Sequence, residues 1–299
     1  MVSLLIRHAI EEALSKFSER EVKITGSRDV GGGCINHAKK LETTAGDFFI
    51  KTNDASRFAG MFEAEARGLV ILKSANRIRI PEVVAFGEAD GESYLILEFI
   101  HPASRNKNFW KNFGAALAEL HKISSARFGL DHDNFIGSLP QSNRFHDDWL
   151  SFFIEERLQK QVQLAFNNKS ISEHHLKQFE SLYKQLENFF PKEKPSLLHG
   201  DLWSGNFMTG AHGEACLIDP AVHYGHREAE LAFTKLFGGF DADFYHAYHE
   251  AFPLQPGFEK RKNIYNLYPL LVHVNLFGRS YLSDVESILK SFGGASFCV

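Results

Sequence analysis

Cysteine is scarce in this chain. Cys34, Cys216 and Cys298 are its only three among 299 residues. They are too few and too scattered for a disulfide framework or a zinc site of paired thiolates, and such usage fits a reducing, cytoplasmic setting. Long apolar runs are lacking too. The opening stretch MVSLLIRHAIEEALSKF is interrupted by Arg7, Glu11 and Glu12, so it reads as an amphipathic helix and not as a signal peptide. The most apolar later run, Leu267 to Phe277, contains His273 and Asn275 and is too short to span a bilayer. Positive charge is not in excess: the formal net charge is -4, which excludes a broad footprint for nucleic acid or for an anionic membrane. Repeats and low-complexity tracts are absent. What remains is an ordinary globular composition, 44% hydrophobic and 23% charged, long enough for one large domain or two lobes. Its partners should be small soluble molecules or exposed protein side chains.

The pattern along the chain changes near residue 100. Before it, strand signals dominate: Glu21 to Val30, then GGG, then Cys34 to Glu42, a turn over Thr44 to Asp47, and Phe48 to Lys51. Met61 to Lys73 has Phe62, Ala66, Leu69 and Leu72 at helical spacing. Two further strands, Ile80 to Phe86 and Ser93 to Phe99, flank an Asp90-Gly91 turn. After residue 100, helical spacing takes over at Phe109, Phe113, Leu117 and Leu120. It returns at Leu176, Phe179, Tyr183, Leu186 and Phe190, with Pro191 as the expected stop. Short strands at Ser196 to Leu198 and Ala215 to Ile218 each lead into a polar loop, and helices resume near Glu228. The expected architecture is α+β in two lobes. Residues 1–100 form a β-rich lobe with one main helix, residues 101–299 form a larger and mostly helical lobe, and Glu98 to Ala103 is the connector.

Three stretches carry chemistry. GGGCIN, Gly31 to Asn36, lies between two strands, where glycines let backbone N–H groups approach a phosphate. It is neither a Walker A loop nor a dinucleotide fingerprint, and alone it reads more readily as an unliganded hairpin turn. Lys51 closes the next strand, and Glu65 on the following helix is its natural partner, with Glu63 as the alternative. Such a pair holds an ammonium against the α- and β-phosphates of ATP in kinases. HGDLWSGN is the strongest signal. Asp201 and Asn206 have the D-x-x-x-x-N spacing of a kinase catalytic loop, a carboxylate to orient a hydroxyl and an amide oxygen to bind metal. Asp219, in LIDP, supplies a second metal-binding carboxylate at a strand end. Taken singly these signals are weak, but they occur in the chain order of a kinase. His199 reads as a buried strut of the loop, and the histidines lack the partners of a zinc site. Trp203 is either an apolar wall for a substrate or a structural residue. Cys34 is either a small residue beside a tight backbone or an exposed thiol whose oxidation blocks nucleotide or links two chains.

These motifs, with MFEAEARGL, FGLDHDNFIGSLPQ, WLSFFIEERL and LIDPAVHYGHREAELAFTKLFGGF, resemble the fructosamine kinase family within the aminoglycoside-phosphotransferase-like kinases. The resemblance runs through most of the chain. It implies a two-lobed protein-kinase-like fold and dependence on ATP and Mg²⁺. It also implies phosphorylation of a ketosamine hydroxyl, commonly O3, whose labile product eliminates to return the free amine. By position it implies Asp201 as the base, Asn206 and Asp219 as metal ligands, Lys51 as phosphate clamp and Glu65 as its partner. Gly31, Gly32, Gly33, Cys34, Ile35 and Asn36 would cover the nucleotide, and Glu98, Phe99 and Ile100 would offer backbone to adenine. Trp203, His226 and Glu228 are candidates at or beside the sugar. Glu230 stands where an aspartate is usual. Two rivals are a kinase of another alcohol, such as an aminoglycoside, and a nucleotide-binding pseudokinase. The lack of HRD, DFG and APE elements argues against a eukaryotic-type protein kinase.

Overall fold

The computed structural model describes residues 4–31, 36–187 and 189–293. Gly32, Gly33, Cys34 and Ile35 of the expected phosphate loop lie outside the described residues, as does Cys298.

The chain opens with helix α1 (Leu4–Ser18), which buries Ile6, Ile10 and Leu14, spaced by four. Strands β1 (Ile24–Asp29), β2 (His37–Thr43), β3 (Gly46–Asp54), β4 (Val83–Ala89) and β5 (Glu92–Glu98) form one antiparallel sheet in the order β1-β2-β3-β5-β4. Helix α2 (Met61–Ser74) is inserted between β3 and β4. Strand alternation sorts the core onto the two faces of the sheet. Phe48, Ile50, Tyr94 and Ile96 pack with Ile6, Ile10 and Leu14 on one side. Leu95 and Leu97 turn the other way and join Phe62, Leu69 and Leu72 of α2. Lys51 follows Ile50, so the same alternation sends its side chain to the α2 side, where the second lobe begins.

From residue 109 the chain is mostly helical: α3 (Phe109–His121), α4 (Trp149–Phe152), α5 (Gln159–Asn167), α6 (Glu173–Gln185), α7 (Arg227–Thr234), α8 (Ala242–Ala251), α9 (Phe258–Phe277) and α10 (Leu282–Gly293). Residues Phe153–Leu158, between α4 and α5, wind as a π-helix. Six short strands support the polar loops: β6 (Asn134–Ile136) with β7 (Leu139–Gln141), β8 (Ser196–Leu198) with β11 (His223–Gly225), and β9 (Phe207–Thr209) with β10 (Ala215–Leu217). Sequence reading expected only β8 and β10 of these, because three-residue strands show no periodicity. It also placed the stop of α6 at Pro191. The helix ends earlier, at Gln185, where Leu186 N–H bonds the Tyr183 carbonyl in a tightened last turn. One apolar core runs from α2 of the first lobe through α3, α7, α8 and α9 of the second. Helices α3 and α8 approach closely because Gly114 has no side chain; a Cβ there would sit 2.1 Å from the Phe244 carbonyl oxygen.

Candidate active site

The loop HGDLWSGN leaves β8 and returns into β9, while LIDPAV leaves β10 and returns into β11. Crossing hydrogen bonds lock the two loops together. Ala221 N–H donates to the His199 carbonyl at 2.9 Å, and Ile218 N–H donates to the Asn206 carbonyl at 3.1 Å. Gly200 adopts φ +86°, and a Cβ there would meet the Ala221 carbonyl oxygen at 2.0 Å. Only glycine permits both the left-handed backbone and that contact.

His199 is fully buried and ties the loops together as the sequence reading expected. Its Nδ1 accepts from Asp201 N–H at 3.3 Å, so its Nε2 donates to the Ile218 carbonyl at 2.8 Å. Burial holds its pKa below the usual histidine range, in keeping with the neutral ring. Beneath the loop lies a brace that sequence reading missed. The Glu230 carboxylate accepts from Gly200 N–H at 2.7 Å, from His199 N–H at 3.3 Å and from His121 Nε2 at 2.8 Å. His121 Nδ1 contacts the Tyr248 hydroxyl at 2.8 Å. Burial opposes the charge on Glu230, yet His121 and the Gly200 N–H hold its pKa below the usual range.

The chemistry-bearing side chains converge between the lobes. Lys51 Nζ lies 2.7 Å from Glu65 Oε1 and 2.5 Å from Asp219 Oδ1, joining a strand, a helix and a loop 168 residues away. Burial disfavours the ammonium, but the two carboxylates outweigh it and hold the Lys51 pKa above its usual range. Glu63, the alternative partner, instead pairs with Arg67 at 2.6 Å. Asp219 has φ 56°, an uncommon conformation for a non-glycine residue that aims its carboxylate back at Lys51. Asn206 Nδ2 donates to both the backbone and the side-chain oxygen of Asp201, each at 2.8 Å. Burial pushes the Asp201 carboxyl well above the usual range; Asn206 opposes the shift, and the Asp219 and Glu230 charges add to it.

At the edges of the site, Asn36 Oδ1 accepts from Asn53 Nδ2 at 3.1 Å, which ties the end of the glycine-rich segment to the β3 face that carries Lys51. Glu98 donates its backbone N–H to the Glu82 carbonyl at 2.9 Å, and its carboxylate pairs with Arg79 and the Glu82 N–H. Its N–H is therefore not free for a base. Phe99 carries the Lys40 ammonium 4.9 Å above its ring, and Ile100 is buried.

A cleft, partly open to solvent, runs from Gly200, Asp201 and Leu202 into the helical lobe between Trp149, Tyr265 and Tyr268. The structure corrects two expected sugar contacts. His226 is fully buried between the Tyr265 hydroxyl, at 2.6 Å, and the Pro191 carbonyl, at 3.2 Å. Glu228 is fully buried in a two-pronged pair with Arg261, at 2.6 and 2.7 Å. Neither side chain lines the cleft; both hold α7 against its neighbours, and their polar character comes from pairing inside the core. Trp203 is 38% exposed, with its ring folded over Gly205, and does not line the cleft.

A β-rich lobe that supplies a Lys–Glu pair, set over a helical lobe that supplies Asp201, Asn206 and Asp219, defines a kinase-like phosphotransferase. Comparison with known proteins narrows the class. The fructosamine kinase family profile matches residues 6–293. A protein named as a probable ketoamine kinase from Synechocystis sp. is 40% identical over 288 residues, covering 94% of this chain and 95% of the other. The protein-ribulosamine 3-kinase of Oryza sativa subsp. indica, a chloroplastic protein, is 41% identical over 280 residues, covering 91% of this chain and 80% of its own. A solved structure from Haemophilus somnus 129PT, named as a candidate fructosamine-3-kinase, superposes with a TM-score of 0.86 at 29% identity, covering 94% of this chain and 96% of the other. The chain belongs to the fructosamine kinase family.

Proposed function

We propose that this enzyme transfers the γ-phosphate of ATP to a hydroxyl of a ketosamine, O3 of a fructosamine or ribulosamine carried on a small amine or a protein lysine. The labile phosphate ester then eliminates and returns the free amine, which makes the reaction a deglycation. The observation that carries this reading is the convergence of Lys51, Glu65 and Asp219 beside the Asp201–Asn206 loop, at the mouth of a cleft that runs into the helical lobe. The name of the rice relative, a ribulosamine 3-kinase, supports the substrate class.

The donor set suits Mg²⁺. Asn206 commits its amide nitrogen to Asp201, which leaves its oxygen for a cation. The Asp219 carboxylate is 45% exposed and uses one oxygen on Lys51. Hard oxygen ligands of this kind suit a small divalent ion. A bound Mg²⁺ would neutralise charge on the phosphates. Lys51 clamps the α- and β-phosphates, with Glu65 fixing the direction of its ammonium. Asp201 orients the acceptor hydroxyl and takes its proton, and its raised affinity for a proton suits that role. Backbone of Phe99 and Ile100 meets adenine; most of the expected phosphate loop, Gly31 to Asn36, lies outside the described residues. Little covalent work falls to the protein; positioning and charge neutralisation dominate. Trp203 remains a candidate contact on the outer side of the sugar. Among the described residues, no helix is long and apolar enough to cross a membrane. The scarcity of cysteine favours the cytoplasm as the location, for a monomer or a dimer linked through Cys34. The thiol proposed as a redox link, Cys34, lies outside the described residues.

A substrate panel read by ADP release tests the assignment. Fructoselysine and ribuloselysine should drive turnover above the ATPase background, and aminoglycosides and choline should not. Turnover confined to one of the latter would move the enzyme to another acceptor class.

A further inference from the structure

Among the described residues, two buried donors in the wall of the cleft lack partners. Trp149, Phe153 and Arg157 all line it, at a spacing of four residues. In an α-helix four residues overshoot one turn by about 40°. In the π-helical stretch that follows, with its i→i+5 bonds, four residues fall short of a turn. The two deviations offset one another, so the local winding sets the three side chains in a row on one face. Arg157 is only 2% exposed. Its Nη1 donates to the Ser142 carbonyl at 2.6 Å and its Nη2 to Asn143 Oδ1 at 2.8 Å. Its guanidinium lies 4.5 Å over the Phe152 ring. Among the described residues no carboxylate comes within salt-bridge distance of it, and its Nε has no hydrogen-bond partner. Trp149 Nε1 is likewise buried and unpartnered. Buried donors are nearly always satisfied in folded proteins, and each exception asks for an explanation.

We propose that Trp149 Nε1 and Arg157 Nε are the specificity-determining donors for the hydroxyl tail of the ketose, the carbons beyond the phosphorylated position. The inference rests on the ketosamine reading above and adds an orientation to it. Asp201 marks the end of the cleft where the reacting hydroxyl sits. The sugar tail extends inward along the aromatic walls to the two donors. The substrate amine, a cation at neutral pH, is repelled by the buried Arg157 charge and faces outward. A carrier as large as a protein lysine then never has to enter the cleft.

The test uses lysine ketosamines of four, five and six carbons, together with 6-deoxyfructoselysine, on wild type, Trp149→Phe and Arg157→Lys. Trp149→Phe keeps an aromatic ring and Arg157→Lys keeps the positive charge, and thermal melts verify folding. The expected result is a kcat/KM for fructoselysine about tenfold lower in each variant, which corresponds to the loss of one hydrogen bond. The four-carbon substrate should change less than twofold, and KM for ATP should be unaltered. Wild type should lose a similar factor on 6-deoxyfructoselysine, and Trp149→Phe should lose nothing further on that analogue. An equal loss on every chain length, an additive loss on the deoxy analogue, or no loss at all would overturn the proposal. If wild type phosphorylates no ketosamine, the functional reading itself fails; if it does so without chain-length dependence in the variants, only the donor assignment fails. If both variants melt before assay, the comparison of fructoselysine with its deoxy analogue in wild type decides: equal kcat/KM overturns the proposal.

Discussion

Replacing Glu230 by alanine isolates the role of the brace beneath the catalytic loop. In the native fold this carboxylate satisfies the backbone N–H groups of His199 and Gly200 and one ring nitrogen of His121. His121 keeps Tyr248 on its other nitrogen, but among the described residues the two backbone donors bond no acceptor besides Glu230. A buried donor left unmatched costs about 1–3 kcal/mol. Three such losses, softened by any water that enters the cavity, give a destabilisation of about 3–6 kcal/mol. For a chain of this size that lowers the melting temperature by roughly 6–12 °C. Glu230→Gln retains an acceptor for Gly200 N–H and should cost roughly 1–2 kcal/mol, because its amide nitrogen faces the His199 N–H. Calorimetry of the two variants beside wild type, with kcat measured on the soluble fraction, separates them. The alanine variant should also lose kcat more than affinity for ATP, since the loop that holds Asp201 is what slackens. A Glu230→Ala protein that melts within 2 °C of wild type, or one no less stable than the glutamine variant, would refute the reasoning.

Other outcomes follow from the same geometry. Gly200→Ala combines a left-handed backbone with a 2.0 Å overlap on the Ala221 carbonyl, so it should fail to accumulate as folded protein or lose at least about a hundredfold in turnover; near-normal activity would contradict the loop geometry. Lys51→Met removes the cation that pairs with both Glu65 and Asp219 and should cut kcat/KM for ATP by at least two orders of magnitude while leaving the far-ultraviolet circular dichroism unchanged. Stability should fall with acid below about pH 6.5. His199 and His223 are held below the usual histidine range by burial, helped at His223 by the Arg157 charge. The unfolded chain therefore binds protons there that the folded chain refuses, and each group can contribute a slope of up to about 1.4 kcal/mol per pH unit between its unfolded and folded pKa. Glu156, lowered to about 2 by Ser142, Arg144 and His146 against the effect of burial, adds a further loss between about pH 4.5 and 2. Asp201, held well above its usual range by burial, works in the opposite sense, so the urea titrations from pH 7 to 4 use the Asp201→Asn protein, in which a flat profile down to pH 5 would exclude the histidine component.

What was legible in the sequence was local. Asp201 and Asn206 share one loop five residues apart, and a single turn brings them into contact. Lys51 lies within β3 and Glu65 in the early turns of the helix that follows, so their meeting needs only the sheet and one insertion. The order of sheet and helices was readable because alternation and four-residue spacing repeat over six residues or more. What could not be read depended on pairs distant along the chain. Glu230 meets residues 109 and 30 positions away, and Glu228 is neutralised by Arg261, 33 positions on. Nothing near HREAE tells a buried acid with a remote partner from one that faces a substrate, and His226 and Glu228 were misread for that reason. Arg157 did leave a trace in the Trp149, Phe153 and Arg157 spacing of WLSFFIEERL, but a π-helical winding has no compositional mark.

The most direct test of the central claim is product mapping by phosphorus and carbon NMR after incubation of the enzyme with ATP, Mg²⁺ and ribuloselysine or fructoselysine. The account predicts one ADP per ketosamine 3-phosphate formed, with the Asp201→Asn protein folded and at least a thousandfold slower. ADP formed without a sugar phosphate, or an Asp201→Asn protein as active as wild type, would contradict it.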